Sequence, residues 1–215
     1  MKRMLWICFL VLGLILSWTL MYAGDSNVIP VVKTGQTKSY RTHDDGDLKK
    51  GVAWPTPRFT KNNNGTVTDN LTGLIWLKNA NCAGFGENWN TAIDYTAALY
   101  DGCTNCFGTE GDCGLSDGSK AGDWRLPNRN ELLSLIDIAF YNPALSNAAG
   151  TGQWSEGNPF ISVELVKYWS SSTNASRPGT ASRLGLAWTV DFGKGGVGQH
   201  GKTSENYVWC VRDGN

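Results

Sequence analysis

The sequence predicts an α+β domain in which two helices pack on small antiparallel sheets, with long loops held by disulfides. The 215 residues include 26 Gly and 7 Pro, residues that favour turns and therefore short strands rather than a helical bundle. Two segments, 89–100 and 128–139, carry apolar residues at helical spacing, and several short segments alternate apolar with polar residues. This length suits one domain with a real core plus an export segment.

Residues 1–23 are predicted to be a signal peptide. Lys2 and Arg3 precede a long apolar run, and small residues follow that run at Ala23 and Gly24. We expect cleavage after Ala23, with Gly24 nearly as suitable. We therefore expect a bacterial protein that is periplasmic, at the cell surface or secreted.

An uncleaved membrane anchor is the alternative reading of the same segment. Its apolar run of about 16 residues approaches the length that spans a bilayer. Ser17 and Thr19 weaken such a span, so we favour cleavage. Membrane contact is expected only if the signal stays attached.

Export changes how the cysteines are interpreted, because disulfides form in oxidising compartments. The Cys103-Thr-Asn-Cys106 spacing could also belong to a zinc site, but we prefer disulfides. Since five cysteines follow the signal, at least one thiol stays free or pairs between chains. One plausible pattern ties Cys210 to the first half and closes the 103–113 loop with a second bridge. The disulfide candidates are Cys82, Cys103, Cys106, Cys113 and Cys210.

Residues 24–57 are predicted to be a polar leader that lies along the domain or joins it to the cell surface. Within it, Asp44-Asp45-Gly46-Asp47 suggests calcium, the one cofactor candidate in the chain. The run lacks the ligand spacing and distal Glu of a calcium loop. We therefore expect a solvated turn and no metal site.

The first half of the domain is predicted to be a meander followed by a helix. Asn64-Gly65 lies between β-forming segments, which is a strong hairpin signal, and residues 74–77 supply a third strand. Asn88 is expected to cap the helix from Trp89 to about Tyr100. The predicted core face of this helix consists of Trp89, Ala92, Ile93, Ala97 and Tyr100.

The segment 123–133 predicts a short strand, a stop and a second helix. Pro127 disfavours helical backbone at the residue before it, so the strand must end there. Asn128 and Glu131 have the spacing of a capping box. We expect Arg125 to bridge a carboxylate or a backbone carbonyl rather than bind an anion. The helix face expected to be buried consists of Leu132, Leu135, Ile136 and Ala139.

Three further strands are predicted after a loop-rich stretch. Residues 168–172 form the first, and residues 207–212 close the domain. Between them, Leu186, Trp188, Val190 and Phe192 alternate with smaller or polar residues, which predicts that these four side chains face the core.

An ordered series of phrases resembles one known family. Gly65 to Asp69, Thr72 to Trp76, Asp123 to Asn128, Tyr168 to Ser171 and Cys210 to Arg212 look like the C-terminal domain of the Legionella collagen-like protein (Lcl), long a domain of unknown function. The resemblance covers residues 58–213. It implies a fold similar to C-type lectins and formylglycine-generating enzymes, surface or secreted binding, sometimes of sulfated glycans, and sometimes trimeric assembly.

The resemblance also bears on the cysteines. Members often carry a Cys in the first helix that can pair with the C-terminal Cys, whereas this helix has Tyr95-Thr96. The resemblance therefore implies that Cys82 or Cys103 takes that role.

The sequence favours a non-catalytic binding module that recognises an extracellular glycan or protein. The balance of 19 basic and 19 acidic residues gives no nucleic-acid signal. The only histidines, His43 and His200, have no apparent nucleophile or orienting acid. Rigid strands should position loops that bind, although each polar loop residue taken singly could be ordinary surface. The candidate ligand-binding residues are Ser172, Asn174, Arg177, Arg183, Lys194, Gln199, His200, Lys202, Ser204 and Asn206.

A second set of residues is assigned to the structural framework: Trp76, Trp124, Arg125, Pro127, Glu131, Trp169, Trp188 and Trp209. Of its tryptophans, Trp124, Trp169, Trp188 and Trp209 are expected in the core. Two other functions compete with ligand binding. One is a structural surface or appendage protein that forms homo-oligomers, including cysteine-linked ones. The other is an exported enzyme resembling formylglycine-generating enzymes, which would need catalytic cysteines in a cleft.

Overall fold

The computed structural model describes residues 31–106, 113–175 and 185–214. Within these ranges the chain is α+β, with small antiparallel sheets and few helices, as predicted. None of the helices in these ranges has the length and hydropathy of a transmembrane span. The predicted signal peptide, Arg177 and Arg183 lie outside the described residues. The elements are α1 (Asp45–Leu48), β1 (Phe59–Lys61), β2 (Thr66–Asp69), β3 (Ile75–Leu77), α2 (Trp89–Ala98), α3 (Arg129–Ser134), β4 (Lys167–Thr173), β5 (Leu186–Asp191), β6 (Gly196–Gly201) and β7 (Val211–Arg212).

The first sheet has the strand order β1-β2-β3-β7, and all of its neighbouring strands are antiparallel. The predicted meander is confirmed. Gly65 has a φ of +81°, and a Cβ atom there would collide with the Gly114 carbonyl oxygen, so this turn position requires glycine. Trp76 on β3 and Trp209 are fully buried, and their rings meet edge to face with centroids 5.6 Å apart.

The second sheet has the order β4-β5-β6, and here the predicted core face is confirmed at Val190 and Phe192 but wrong at Leu186 and Trp188. On β5 the buried residues are Ala187, Thr189 and Val190, whereas Leu186 and Trp188 are only half-buried. Thr189 pairs with the fully buried Trp169 on the neighbouring strand β4. The face of β5 assigned to solvent is therefore packed as well. Alternation shows which residues share a face, but it does not reveal that both faces are covered.

The final strand is shorter than predicted because residues 207–212 are divided between the two sheets. Tyr207 bridges Tyr168 of the second sheet, while Val211 pairs with Trp76 of the first. Between them Trp209 crosses the core and donates its indole N–H to the Leu77 carbonyl at 2.8 Å. The segment therefore joins the two sheets.

Helix α2 begins where predicted, with the Asn88 side chain accepting from the Thr91 N–H. Its predicted core face is wrong at two positions: Ala97 and Tyr100 are exposed. The helix ends at Ala98, and Leu99 is extended, so Tyr100 leaves the helical phase. The buried positions near the helix are Ala92, Tyr95, Thr96 and Leu99.

The predicted capping box of α3 is present, with reciprocal bonds between Asn128 and Glu131. Arg125 makes the expected carboxylate bridge: its guanidinium donates to Glu131 at 2.7 and 2.9 Å and to Asp213 at 2.7 Å. These bonds raise the Arg125 pKa even though burial acts against them. The predicted strand is reduced to one bridge between Arg125 and Val211. Trp124, Leu126 and Leu132 are buried as expected, as are Leu135 and Ile136, which lie beyond the end of α3 at Ser134. The prediction is wrong at Ala139, which is only half-buried.

Two intrachain disulfides form, Cys82–Cys113 and Cys103–Cys106. The prediction of disulfides over zinc is confirmed, as is the odd free thiol, but both proposed pairings are wrong. Cys210 is free and fully buried. Its predicted tie to the first half is replaced by packing near Tyr95, whose pKa is raised mainly by burial and also by Cys210.

The described part of the leader, residues 31–57, lies along the domain. The Thr34 carbonyl accepts from the Ile138 N–H at 3.2 Å. The predicted turn at 44–47 is a single turn of helix, α1, instead. Asp44 caps α1 by accepting from the Asp47 N–H at 2.9 Å. Its carboxylate also accepts from the Tyr40 backbone N–H, and that bond is the main cause that lowers the Asp44 pKa.

Candidate functional site

Most of the predicted binding residues that the structure describes lie at one end of the second sheet, on its two faces. Ala187 is opposite both Thr173 and His200, while Trp188 is opposite Gln199. Residues that pair across strands place their side chains on the same face. Gln199 therefore belongs with Trp188, and its neighbour His200 belongs to the other face.

One face carries a group that we name the Trp188 cluster: Arg129, Ser172, Asn174, Trp188 and Gln199. The Arg129 guanidinium carbon lies 5.1 Å from the Trp188 ring centroid. The Ser172 hydroxyl accepts from the Arg129 N–H at 3.1 Å, which places the start of α3 against β4. The Asn174 amide donates to the Gln199 side chain. The cluster thus joins an aromatic ring, a cation and an amide pair.

The charge of Arg129 is not neutralised within the described residues. Its side chain contacts the Asn130 amide oxygen at 3.3 and 3.4 Å, and it forms no ion pair with a described carboxylate. A guanidinium is a planar donor that suits carboxylate, sulfate or phosphate groups. The cluster can therefore receive both an apolar ring face and an anionic group.

The opposite face carries the Lys202 cluster: Trp89, Thr173, His200, Lys202 and Asn206. The Lys202 ammonium lies 3.6 Å from the Trp89 ring centroid and donates to the Thr173 hydroxyl at 3.0 Å. The Lys202 carbonyl accepts from the Trp89 N–H at 3.0 Å. These contacts hold the start of α2 on the second sheet, so the ammonium is already engaged.

His200 stands beside the buried Trp169, with ring centroids 6.4 Å apart. Burial lowers the His200 pKa, Lys167 lowers it further, and a hydrogen bond with Asn206 acts in the opposite direction. This lowering of the pKa favours the neutral imidazole at pH 7. Asn206 is buried, and its side-chain nitrogen has no hydrogen-bond partner among the described residues.

The remaining predicted residues do not join either cluster. Lys194 lies in the turn between β5 and β6, at the far end of the hairpin, where its N–H donates to Asp191 at 2.9 Å. Ser204 is exposed in the turn that follows β6. Arg177 and Arg183 belong to residues 176–184, which are outside the described ranges.

Sequence reasoning missed Arg129, Trp89 and Thr173. Arg129 directly follows the Asn128 cap, and Trp89 directly follows the Asn88 cap. Each is therefore the first residue of its helix, and in this fold the start of each helix packs against the second sheet. The caps were the available signal, but which strand each helix start faces is a tertiary property that no local pattern encodes.

The calcium candidate finds no structural counterpart, since the described residues contain no group of three side chains that could hold a metal. Burial raises the pKa of the Cys210 thiol, which disfavours the reactive thiolate form. The other four described cysteines are disulfide-bonded.

Comparison with known proteins gives one informative result. No curated protein matches the chain. A family model, described as the Lcl C-terminal domain, matches residues 65–212, more than half of the sequence. This range contains both sheets apart from β1, helices α2 and α3, all five described cysteines and both clusters. The chain belongs to the Lcl C-terminal domain family.

Proposed function

We propose that this protein is a non-catalytic binding module, secreted or held at the cell surface, that recognises an extracellular glycan at the Trp188 cluster. The observation that carries this proposal is the position of Trp188. Its alternation with neighbouring residues predicts a core side chain, yet it is half-buried beside the Arg129 guanidinium, which has no carboxylate partner among the described residues. Family membership supports the secreted or surface location, and a C-type-lectin-like architecture would suit the role.

The chemistry of the cluster matches an acidic sugar. An indole face packs against the C–H face of a sugar ring, since Trp offers large, rigid contact area. Side-chain amides such as those of Asn174 and Gln199 can bond hydroxyl groups. Arg129 supplies a charge-assisted bond to a carboxylate or sulfate group. A protein ligand with an acidic side chain would use the same contacts, and it is the second partner class.

The cysteines support binding rather than catalysis. An enzyme of the formylglycine-generating type would need reactive cysteines in a cleft. Here the one described thiol, Cys210, is fully buried with a raised pKa. The other four described cysteines form intrachain disulfides, which argues against a cysteine-linked structural polymer. Non-reducing electrophoresis of the native protein should therefore show no disulfide-linked oligomer.

The proposal is tested by a glycan and glycosaminoglycan array with residues 24–215, with and without chelator. We expect binding that chelator does not abolish, and Trp188→Ala should weaken it about tenfold or more. Tyr141→Ala is the matched control, because it removes an exposed aromatic (70 % exposed) whose neighbour Asn142 contacts the opposite end of the β5–β6 hairpin.

An array without any hit would count against the glycan and leave a protein partner. Equal losses in Trp188→Ala and Tyr141→Ala would remove the Trp188 cluster as the site. Binding that chelator abolishes would show a calcium-dependent lectin whose metal ligands lie elsewhere than this cluster.

A further inference from the structure

We propose that a cavity in the first sheet is a second binding site, specific for a small oxyanion such as an organic carboxylate or a phosphate. The cavity has a volume of about 500 Å³ and lies between the β1–β2 turn, the residues after β3, and Cys113-Gly114. It shares no residue with the Trp188 cluster. It therefore stands independently of the proposed function.

The walls of this cavity are fixed to one another. The Lys78 N–H donates to the Gly65 carbonyl at 2.9 Å, and the Ser116 N–H donates to the Asn64 carbonyl at 3.0 Å. Gly65 packs directly on the Gly114 backbone, and the disulfide from Cys82 holds Cys113 in place. A cavity with such walls needs little reorganisation to bind.

The charge of the lining selects the class of ligand. The described lining residues include Lys61 and Lys78 but no Asp or Glu. Lys61 donates to the Gly157 carbonyl at 3.2 Å. The Lys78 ammonium, by contrast, has no hydrogen bond or ion pair with any residue that the structure describes, although its side chain is half-buried. Two cations in a concave surface attract an anion.

The neutral lining groups add hydrogen-bond donors. The Asn79 side-chain oxygen accepts from the Asn81 N–H at 3.1 Å, which leaves its amide N–H groups for a ligand. Thr66 is already engaged, since its hydroxyl donates to Asn64 at 2.7 Å and accepts from Asn62 at 3.0 Å. Ammonium and amide donors together complement the acceptor oxygens of an oxyanion. A cavity of this volume accommodates an organic anion rather than only an inorganic ion.

The test is calorimetric titration of residues 24–215 with inorganic phosphate and, separately, with citrate. We expect saturable binding of at least one probe at low ionic strength, weakening as salt is added. Lys78→Gln should reduce affinity about tenfold, and Lys61→Gln should reduce it less because that ammonium is exposed. Lys194→Gln is the matched control, since it removes a lysine that does not line the cavity and should change nothing.

The two probes distinguish the sources of the oxyanion: preference for citrate indicates carboxylate ligands, and preference for phosphate indicates phosphorylated ones. Near-ultraviolet circular dichroism confirms that each variant is folded. The proposal is overturned if neither probe binds at about 10 mM, or if folded Lys78→Gln and Lys61→Gln both bind like the parent protein.

Discussion

Two tryptophan–arginine pairs of similar geometry have opposite surroundings in this protein. In one, the Arg212 guanidinium carbon lies 5.5 Å from the ring centroid of Trp124, which is 1 % exposed. In the other, Arg129 lies 5.1 Å from the half-buried Trp188. Arg212 also pairs with the fully buried carboxylate of Asp117 at 3.2 Å, whereas Arg129 has no carboxylate partner within the described ranges.

The difference shows that the contact alone does not define a role. Trp124 belongs to a hydrogen-bonded network: its indole N–H donates to the Ser119 hydroxyl at 3.0 Å, and Asp117 accepts from that same Ser119 hydroxyl at 2.6 Å. A buried ring in a satisfied network stabilises the fold. An accessible ring beside an uncompensated charge keeps its interaction capacity for a ligand.

The largest effect is expected from Trp124→Ala. Removing a fully buried indole leaves a cavity in the hydrophobic core and should lower the free energy of unfolding by about 3–5 kcal/mol. Denaturant unfolding followed by tryptophan fluorescence measures this loss. A well-folded variant of parental stability that had lost only ligand affinity would place Trp124 in the site instead of the framework.

The next largest loss of stability is expected from Asp117→Ala. The substitution leaves the Arg212 guanidinium, which is 15 % exposed, without its buried partner, and it also removes acceptors for Ser119. Breaking a buried pair from one side costs about 3 kcal/mol. The measurement is the same unfolding experiment, with Asp123→Ala as the matched control, since Asp123 is exposed and forms no ion pair in the described structure. Equal stability of the two variants would contradict the framework role.

Trp188→Ala should have the opposite effect, with a small loss of stability and a large loss of ligand affinity. The half-buried ring contributes less to the fold, so we expect a loss of only about 1 kcal/mol together with loss of glycan binding. Comparing this variant with Trp124→Ala in one array separates binding from folding. A stability loss as large as that of Trp124→Ala would show that Trp188 belongs to the core after all.

The features that sequence predicted well are local ones. The Asn64-Gly65 hairpin depends on two adjacent residues, and the Asn128–Glu131 capping box depends on two residues one helical turn apart. Both structures are determined by residues that are close together in the chain, so they can be predicted from the local sequence alone. The same holds for the start of α2 at the Asn88 cap.

The features that sequence predicted poorly depend on contacts between distant segments. Trp188 alternates like a core residue, but Trp169 and Thr189 fill the other side of the sheet. Cys210 could not be assigned because its surroundings include Tyr95, more than one hundred residues earlier. The prediction of the site missed Arg129 for the same reason, because Arg129 reaches Trp188 only after α3 packs on β5.

The smallest stability effect and the sharpest comparison come from one substitution made at both arginines. Arg129→Gln removes a charge that has no ion-pair partner in the described part of the chain. It should change the free energy of unfolding by no more than about 0.5 kcal/mol, while it weakens binding to acidic glycans and reduces the salt dependence of that binding. Arg212→Gln removes a charge of the same kind from the Asp117 network. It should destabilise the protein but leave the affinity of the folded fraction unchanged. Since both variants lose one guanidinium over one indole, a difference in net charge cannot explain opposite results. If both lose stability without losing affinity, the unpaired charge at Arg129 has no part in recognition, and the ligand contacts another surface.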